Sequence, residues 1–227
     1  MIAEFLSKRI SYGLMFLFIL LNSILLYNDI YYLLAFPLII LIIYLFIFSL
    51  DIVFLVIVFC TPLSFNFENL DLLGIGFYFP TEPLLLIFTT VFIFKSLHKR
   101  SFNKDLLHYK DPLIIIVIVQ LIWIFTSSIV SEIPVVSFKF FLARSWFMVP
   151  MIFYGIHFFK GGERPIKQFF IVFLSSIVIV TLYTLINHSM NSFSEESGHW
   201  VMWPFFKDHT SYGAILALSI PINIWLL

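Results

Sequence analysis

The side chain in this chain best suited to chemistry is Arg144, which lies about five residues into an apolar run at 140–158. At 1.5 Å per residue that is ~7 Å along a helix. Two readings fit it. The side chain can snorkel back to a headgroup layer. Alternatively it can hold an anion, because a guanidinium offers paired donors matched to phosphate or pyrophosphate oxygens. Lys139 stands at the mouth of the same run and would add positive charge. Five residues of rotation put it on a different helix face. A second cluster reads Lys207-Asp208-His209-Thr210-Ser211-Tyr212-Gly213. Asp208 or Thr210 is a suitable N-cap for the apolar run that follows. A helix N-terminus also turns its positive dipole end toward any anion, with Lys207 alongside. His209 would then act as acid, base or phosphate donor near neutral pH. Plain capping and interfacial anchoring explain the same residues.

The segment before this cluster holds Ser194, Glu195, Glu196, His199, Trp200 and Trp203. The two tryptophans fit an interfacial aromatic belt, and they also fit stacking on a sugar. Glu195 and Glu196 are adjacent, so they do not readily converge on one substrate atom. Gln120 and His157 are expected to hydrogen-bond between helices. There is no Gly-rich phosphate loop, His-Glu metal motif or nucleophile elbow. Cys60 is the single cysteine, which excludes an internal disulfide and a thiol metal cluster. Neither a metal nor another cofactor is expected.

The elements that must position these residues follow from composition. Of 227 residues, 61% are hydrophobic and 11% charged, against roughly 25% charged in a soluble domain. A soluble globule of this size has too much surface to hide that much apolar area. Soluble enzymes, disordered proteins and nucleic-acid binders are therefore excluded. Thirteen bases balance thirteen acids, so no net charge attracts a polyanion. The fold class expected is all-α, a polytopic transmembrane helical bundle of about eight spans. The apolar runs lie at about 10–27, 31–50, 52–64, 81–96, 112–130, 140–158, 169–188 and 210–227. The run from Ile10 to Tyr27 is long for a signal peptide and lacks a small-residue cleavage site, so it reads as a retained span. The run at 52–64 is short and contains Pro62; Asp51 links it closely to the run before, as a tight hairpin or a kinked pair.

Orientation follows from the positive-inside rule. A cytoplasmic N-terminus puts Lys8, Arg9, Lys95, Lys99, Arg100, Lys104, Lys110, Lys160, Arg164 and Lys167 inside. Only Lys139 and Lys207 then fall outside, and this asymmetry supports a full crossing at 52–64. The outer side carries Asp29, Glu68, Asp71, Glu82, Glu132, Glu195, Glu196 and Asp208. The basic stretch at 95–111 reads as a topology determinant rather than a nucleic-acid patch.

The stretch WPFFKDHTSYGAILALSIP, Trp203 to Pro221, resembles the segment opening the core region of the O-antigen ligase family, which includes the related O-antigen polymerases. FYFPTEPLLLIFTTVFIFK, Phe77 to Lys95, and FKFFLARSWFMVPMIFYG, Phe138 to Gly155, fit the same pattern. The resemblance implies a multi-pass glycosyltransferase of the bacterial inner membrane with its active side periplasmic. Such an enzyme moves glycan from an undecaprenyl-diphosphate carrier to lipid A-core, or onto a growing glycan. It uses neither a nucleotide sugar nor a metal. Arg144 matches the family's intramembrane arginine, which would engage the carrier diphosphate. Asp208 and His209 would lie near that site, as weaker catalytic candidates. Family members continue through further spans and a large periplasmic loop. Residues 1–227 are thus expected to be one transmembrane domain, the N-terminal half of a larger one whose core region begins near 203–227. Any general base would come from the other half. The competing class is a non-catalytic membrane protein, either a transporter or flippase subunit or a structural partner. A flippase would need more polar residues inside its spans than Arg144 and Gln120.

Overall fold

Hydrocarbon offers no water to backbone N–H and C=O groups, so apolar runs of this length must satisfy those groups internally, as helices. In the computed structural model, which describes residues 2–27, 31–66, 78–98 and 112–227, each of the eight apolar runs carries a helix. These are α1 (Ile2–Tyr27), α2 (Phe36–Phe48, after a 3₁₀ turn at Tyr32–Ala35), α3 (Leu50–Cys60), α4 (Thr81–His98) and α5 (Pro112–Ile129). They are followed by α6 (Pro134–Met148), a π-helical turn (Val149–Tyr154), α7 (Gly155–Phe159), α8 (Glu163–Met190) and α9 (His209–Leu226). The fold is all-α but for one antiparallel pair, β1 (Phe65–Asn66) and β2 (Tyr78–Phe79), with Phe65 opposite Phe79. Among the described residues, α4, α5, the stretch Pro134–Phe159 and α8 are long and apolar enough to cross a membrane. This is a membrane protein built from spanning helices.

Prolines mark where several of these helices begin. Pro112 and Pro134 are the first residues of α5 and α6, and Pro83 and Pro165 lie in the first turns of α4 and α8. A first-turn proline gives up no intrahelical bond and presets φ. Just before α8, Gly162 has φ +89°, a backbone conformation that a Cβ would strain.

Two boundaries differ from expectation. The run at 52–64 forms only the 11 residues of α3, ~16 Å long at 1.5 Å each, against ~30 Å of hydrocarbon. Its expected full crossing is therefore not made by this helix alone. Helix α3 ends because Thr61-Pro62-Leu63 turns, with the Leu63 N–H donating to the Cys60 carbonyl at 3.0 Å. The Ser64 and Thr81 hydroxyls then tie the end of α3 to the start of α4. The helix expected over 140–158 begins instead at Pro134 and runs 26 residues, to Phe159. Lys139 is consequently inside the helix rather than at its mouth. Arg144 lies ~15 Å from the helix start, near its middle.

The chain divides into two compact units, Met1–Ser49 and Leu50–Leu227. In the first, the Phe18 and Phe36 rings stack with centroids 6.4 Å apart. The second is centred on Phe54, which is 1% exposed. Its ring lies 5.2–6.2 Å from those of Phe88, Tyr154, Phe158 and Phe169. The Tyr154 hydroxyl donates to Asp51 Oδ1 at 2.6 Å, joining α3 to the π turn. Pro150 accounts for that turn. It has no N–H to offer the Trp146 carbonyl one turn back, and the Thr89 hydroxyl of α4 lies 3.1 Å from that oxygen instead.

Contacts within the second unit also order its charges by end. Glu82 lies within electrostatic reach of Lys139, Thr89 meets Trp146, and the Phe92 ring is 5.8 Å from that of Tyr154. The pairs advance together, so α4 and α6 run parallel. Their C-terminal ends carry Lys95, His98 and Lys160, and α8 starts there with Arg164 and Lys167. Their N-terminal ends carry Glu82, Glu132 and Lys139. Lys99, Arg100, Lys104, Lys110, Asp29, Glu68 and Asp71 lie outside the described residues.

Candidate functional site

Arg144 is exposed on α6, and its guanidinium reaches back one turn, with Cζ 5.9 Å from the Phe140 ring centroid. This is within cation–π range. It is also the direction a helical side chain takes toward its N-terminal end. Among the described residues, no hydrogen bond or ion pair engages this guanidinium. Lys139 lies within electrostatic reach of Glu82 on α4, without an ion pair among the described residues. Five residues of rotation place the two bases on different faces of α6.

Phe140 is also a wall of a cleft of about 570 Å³ between α5 and α6. The other lining residues are Trp123, Ile124, Ser127, Ser128, Ser131, Val136 and Ser137. A tight turn joins the helices, and serine hydroxyls hold its shape. Ser128 Oγ lies 2.7 Å from the Ile124 carbonyl and 3.0 Å from that of Ser137. Ser137 Oγ donates to Ser131 Oγ at 2.6 Å. Ser131 Oγ also accepts from the Ile133 N–H at 3.3 Å.

The second cluster lies at the start of α9. Asp208 is its N-cap: Oδ1 accepts from the Ser211 N–H at 2.7 Å and from the Ser211 hydroxyl at 2.9 Å. A carboxylate thus occupies the place where an exogenous anion would bind, which favours the capping reading over an anion site. His209 Nδ1 is 3.2 Å from His199 Nδ1, a hydrogen-bonded pair in which one ring donates and the other accepts. Lys207 is exposed. Among the described residues, no hydrogen bond, ion pair or ring contact joins Arg144 or Lys139 to Lys207, Asp208 or His209.

Comparison with known protein families, characterised proteins and solved structures finds no match. The chemistry is accordingly read from geometry.

Sequence reasoning overlooked the residues that fasten the loop before α9. The Tyr183 hydroxyl donates to the Trp203 carbonyl at 2.9 Å, and Asn187 Nδ2 to the Val201 carbonyl at 3.0 Å. His188 Nε2 lies 3.2 Å from the Ser194 carbonyl. The available signal was the i, i+4 spacing of Tyr183 and Asn187 near the end of an apolar helix. The cleft serines were likewise overlooked, although Thr126-Ser127-Ser128 is a hydroxyl run closing an apolar helix. Gln120, expected to bond a neighbouring helix, is exposed on α5 and its side chain has no hydrogen bond among the described residues. The His157 ring lies 5.7 Å from that of Tyr154.

The cap makes a pH prediction. Hydrogen bonds from Ser211 hold the Asp208 carboxyl below the ordinary carboxylate range. A depressed folded value means the cap contributes above about pH 3.9, the unfolded value, and is lost as pH falls through the folded one. Exchange of the Ser211 amide is expected to accelerate below about pH 4, relative to amides in the middle of α9. Asp208→Asn, which still caps, removes that acid dependence. Unchanged acid dependence in Asp208→Asn would assign the effect to another group.

Proposed function

We propose that the chain binds a polyprenyl-diphosphate-linked glycan at the periplasmic face of a bacterial inner membrane and takes part in O-antigen ligase-like transfer. The observation that carries this reading is Arg144, an exposed guanidinium near the middle of a spanning helix, with no polar partner among the described residues. A charge within a span costs a few kcal/mol and is retained where it meets a ligand, a cavity or the interface. Segregation of Lys95, Lys160, Arg164 and Lys167 to one end supports placing that end in the cytoplasm. The N-terminal end of α6, toward which Arg144 leans, then faces the periplasm.

In the transfer, an acceptor hydroxyl attacks the anomeric carbon, a new C–O bond forms, and the bond to the diphosphate oxygen breaks. The electron pair leaves with the diphosphate, whose growing charge Arg144 stabilises. His209 is the better of the two catalytic candidates, because Asp208 is committed to its cap. The acceptor hydroxyl gives its proton to a general base, a role not assigned to any residue of 1–227. Lipid A-core is the proposed acceptor, with a growing glycan as the polymerase counterpart.

The test is glycan attachment in a ligase-deficient strain given the full reading frame that contains these residues. The unaltered protein is expected to restore attachment and Arg144→Ala to abolish it. Full attachment by Arg144→Ala would remove the carrier-clamp reading. Failure of the unaltered, membrane-inserted protein to restore attachment would favour a non-catalytic role.

A further inference from the structure

We propose that the cleft between α5 and α6 takes the carrier-proximal sugar of a lipid-linked glycan, beside a diphosphate on Arg144. This assignment rests on the carrier reading above and names the part of the ligand that the cleft recognises.

No charged residue lines the cleft, so its occupant is neutral. Its volume of about 570 Å³ falls among small-ligand clefts, roughly 300–1,000 Å³. The aromatic walls stand open, with Trp123 72% and Phe140 57% exposed. Such faces suit the C–H face of a pyranose, and the surrounding hydroxyls suit its O–H groups.

The hydrogen-bond inventory leaves capacity for that ligand. The Ser127 hydroxyl makes no hydrogen bond among the described residues. Ser131 Oγ accepts twice, which leaves its own O–H free to donate. A prenyl or acyl chain in the cleft would satisfy none of these hydroxyls, and it gains nothing over lipid by entering. Position makes the sugar the proximal one. Phe140 walls the cleft while its ring also contacts the Arg144 guanidinium, so the neutral site and the anion site share one side chain. In a glycan-diphosphate lipid, the proximal sugar is the neutral group bonded to the diphosphate.

The experiment is equilibrium binding to the full chain in nanodiscs. The probes are polyprenyl diphosphate bearing one N-acetylhexosamine, the same carrier without sugar, and phosphatidylglycerol as reference. The sugar-bearing carrier is expected to bind about tenfold tighter than the bare one. Ser127→Ala and Trp123→Leu are each expected to reduce that preference severalfold without altering affinity for the bare carrier. Ser127→Ala removes a hydroxyl with no structural bond, so a folding defect does not account for its effect. Arg144→Ala is expected to weaken both carriers alike. Equal affinity for the two carriers, with Arg144→Ala still weakening both, overturns the cleft assignment alone. A sugar preference indifferent to both cleft variants overturns it as well. If neither carrier binds more tightly than phosphatidylglycerol, the carrier reading falls and takes the cleft assignment with it.

Discussion

Arg144→Ala is expected to weaken binding of bare polyprenyl diphosphate by about 30- to 150-fold, the equivalent of ~2–3 kcal/mol. A guanidinium donates two parallel, charge-assisted hydrogen bonds to phosphate oxygens, each roughly twice as strong as a neutral one. Low dielectric at membrane depth strengthens them further. Arg144→Lys is expected to fall between, because an ammonium keeps the charge but loses the planar fork. The same substitution carries an opposite expectation for stability. The Arg144 side chain contacts the Phe140 ring and has no polar partner among the described residues, so alanine there removes little that holds the fold. Melting of Arg144→Ala should match or exceed that of the unaltered chain, since a charge within a span is itself costly. Lost binding with retained stability is the pattern of a ligand-holding residue. Unchanged carrier affinity, or a collapse in melting temperature, would assign Arg144 to structure.

Phe54→Ala is expected to cost about 2–3 kcal/mol of stability, from a cavity of ~100 Å³ at ~24 cal/mol per Å³. The transfer contribution that dominates soluble cores largely drops out here, because lipid tails are as apolar as phenylalanine. What remains is lost dispersion against Phe88, Tyr154, Phe158 and Phe169, which Phe54 touches from α3. Phe54→Leu, which leaves a smaller void, should cost less than half as much. Reversible unfolding in bicelles measures both. A loss below about 0.5 kcal/mol for Phe54→Ala would contradict its place at the centre of this unit.

Much of the fold was legible in the sequence. Each of the eight apolar runs carries a helix, and among the described residues of the second unit Lys95, Lys160, Arg164 and Lys167 gather at one end. Boundaries were less legible where polar residues sit inside a helix. Lys139 stood at the mouth of the expected helix over 140–158. The Ser137 hydroxyl bonds Ser131, Lys139 lies within electrostatic reach of Glu82, and α6 runs on through both.

Of the candidate site, composition and spacing singled out Arg144, Lys139, Lys207, Asp208 and His209 by residue type. They left open which of them meet. Tertiary structure brought Lys139 within electrostatic reach of Glu82 and committed Asp208 to Ser211. It also paired His209 with His199 and set Arg144 over a wall of the serine cleft. The reason is rotational. Hydrophobic content decides that a segment is a buried-length helix, and that content is written in the sequence. A helix that is apolar all round has no amphipathic stripe to decide which face meets which neighbour. Rotation is then set by ring packing and a few long-range polar bonds. Tyr154 with Asp51 and Thr89 with Trp146 are such bonds, and only the folded chain brings them together.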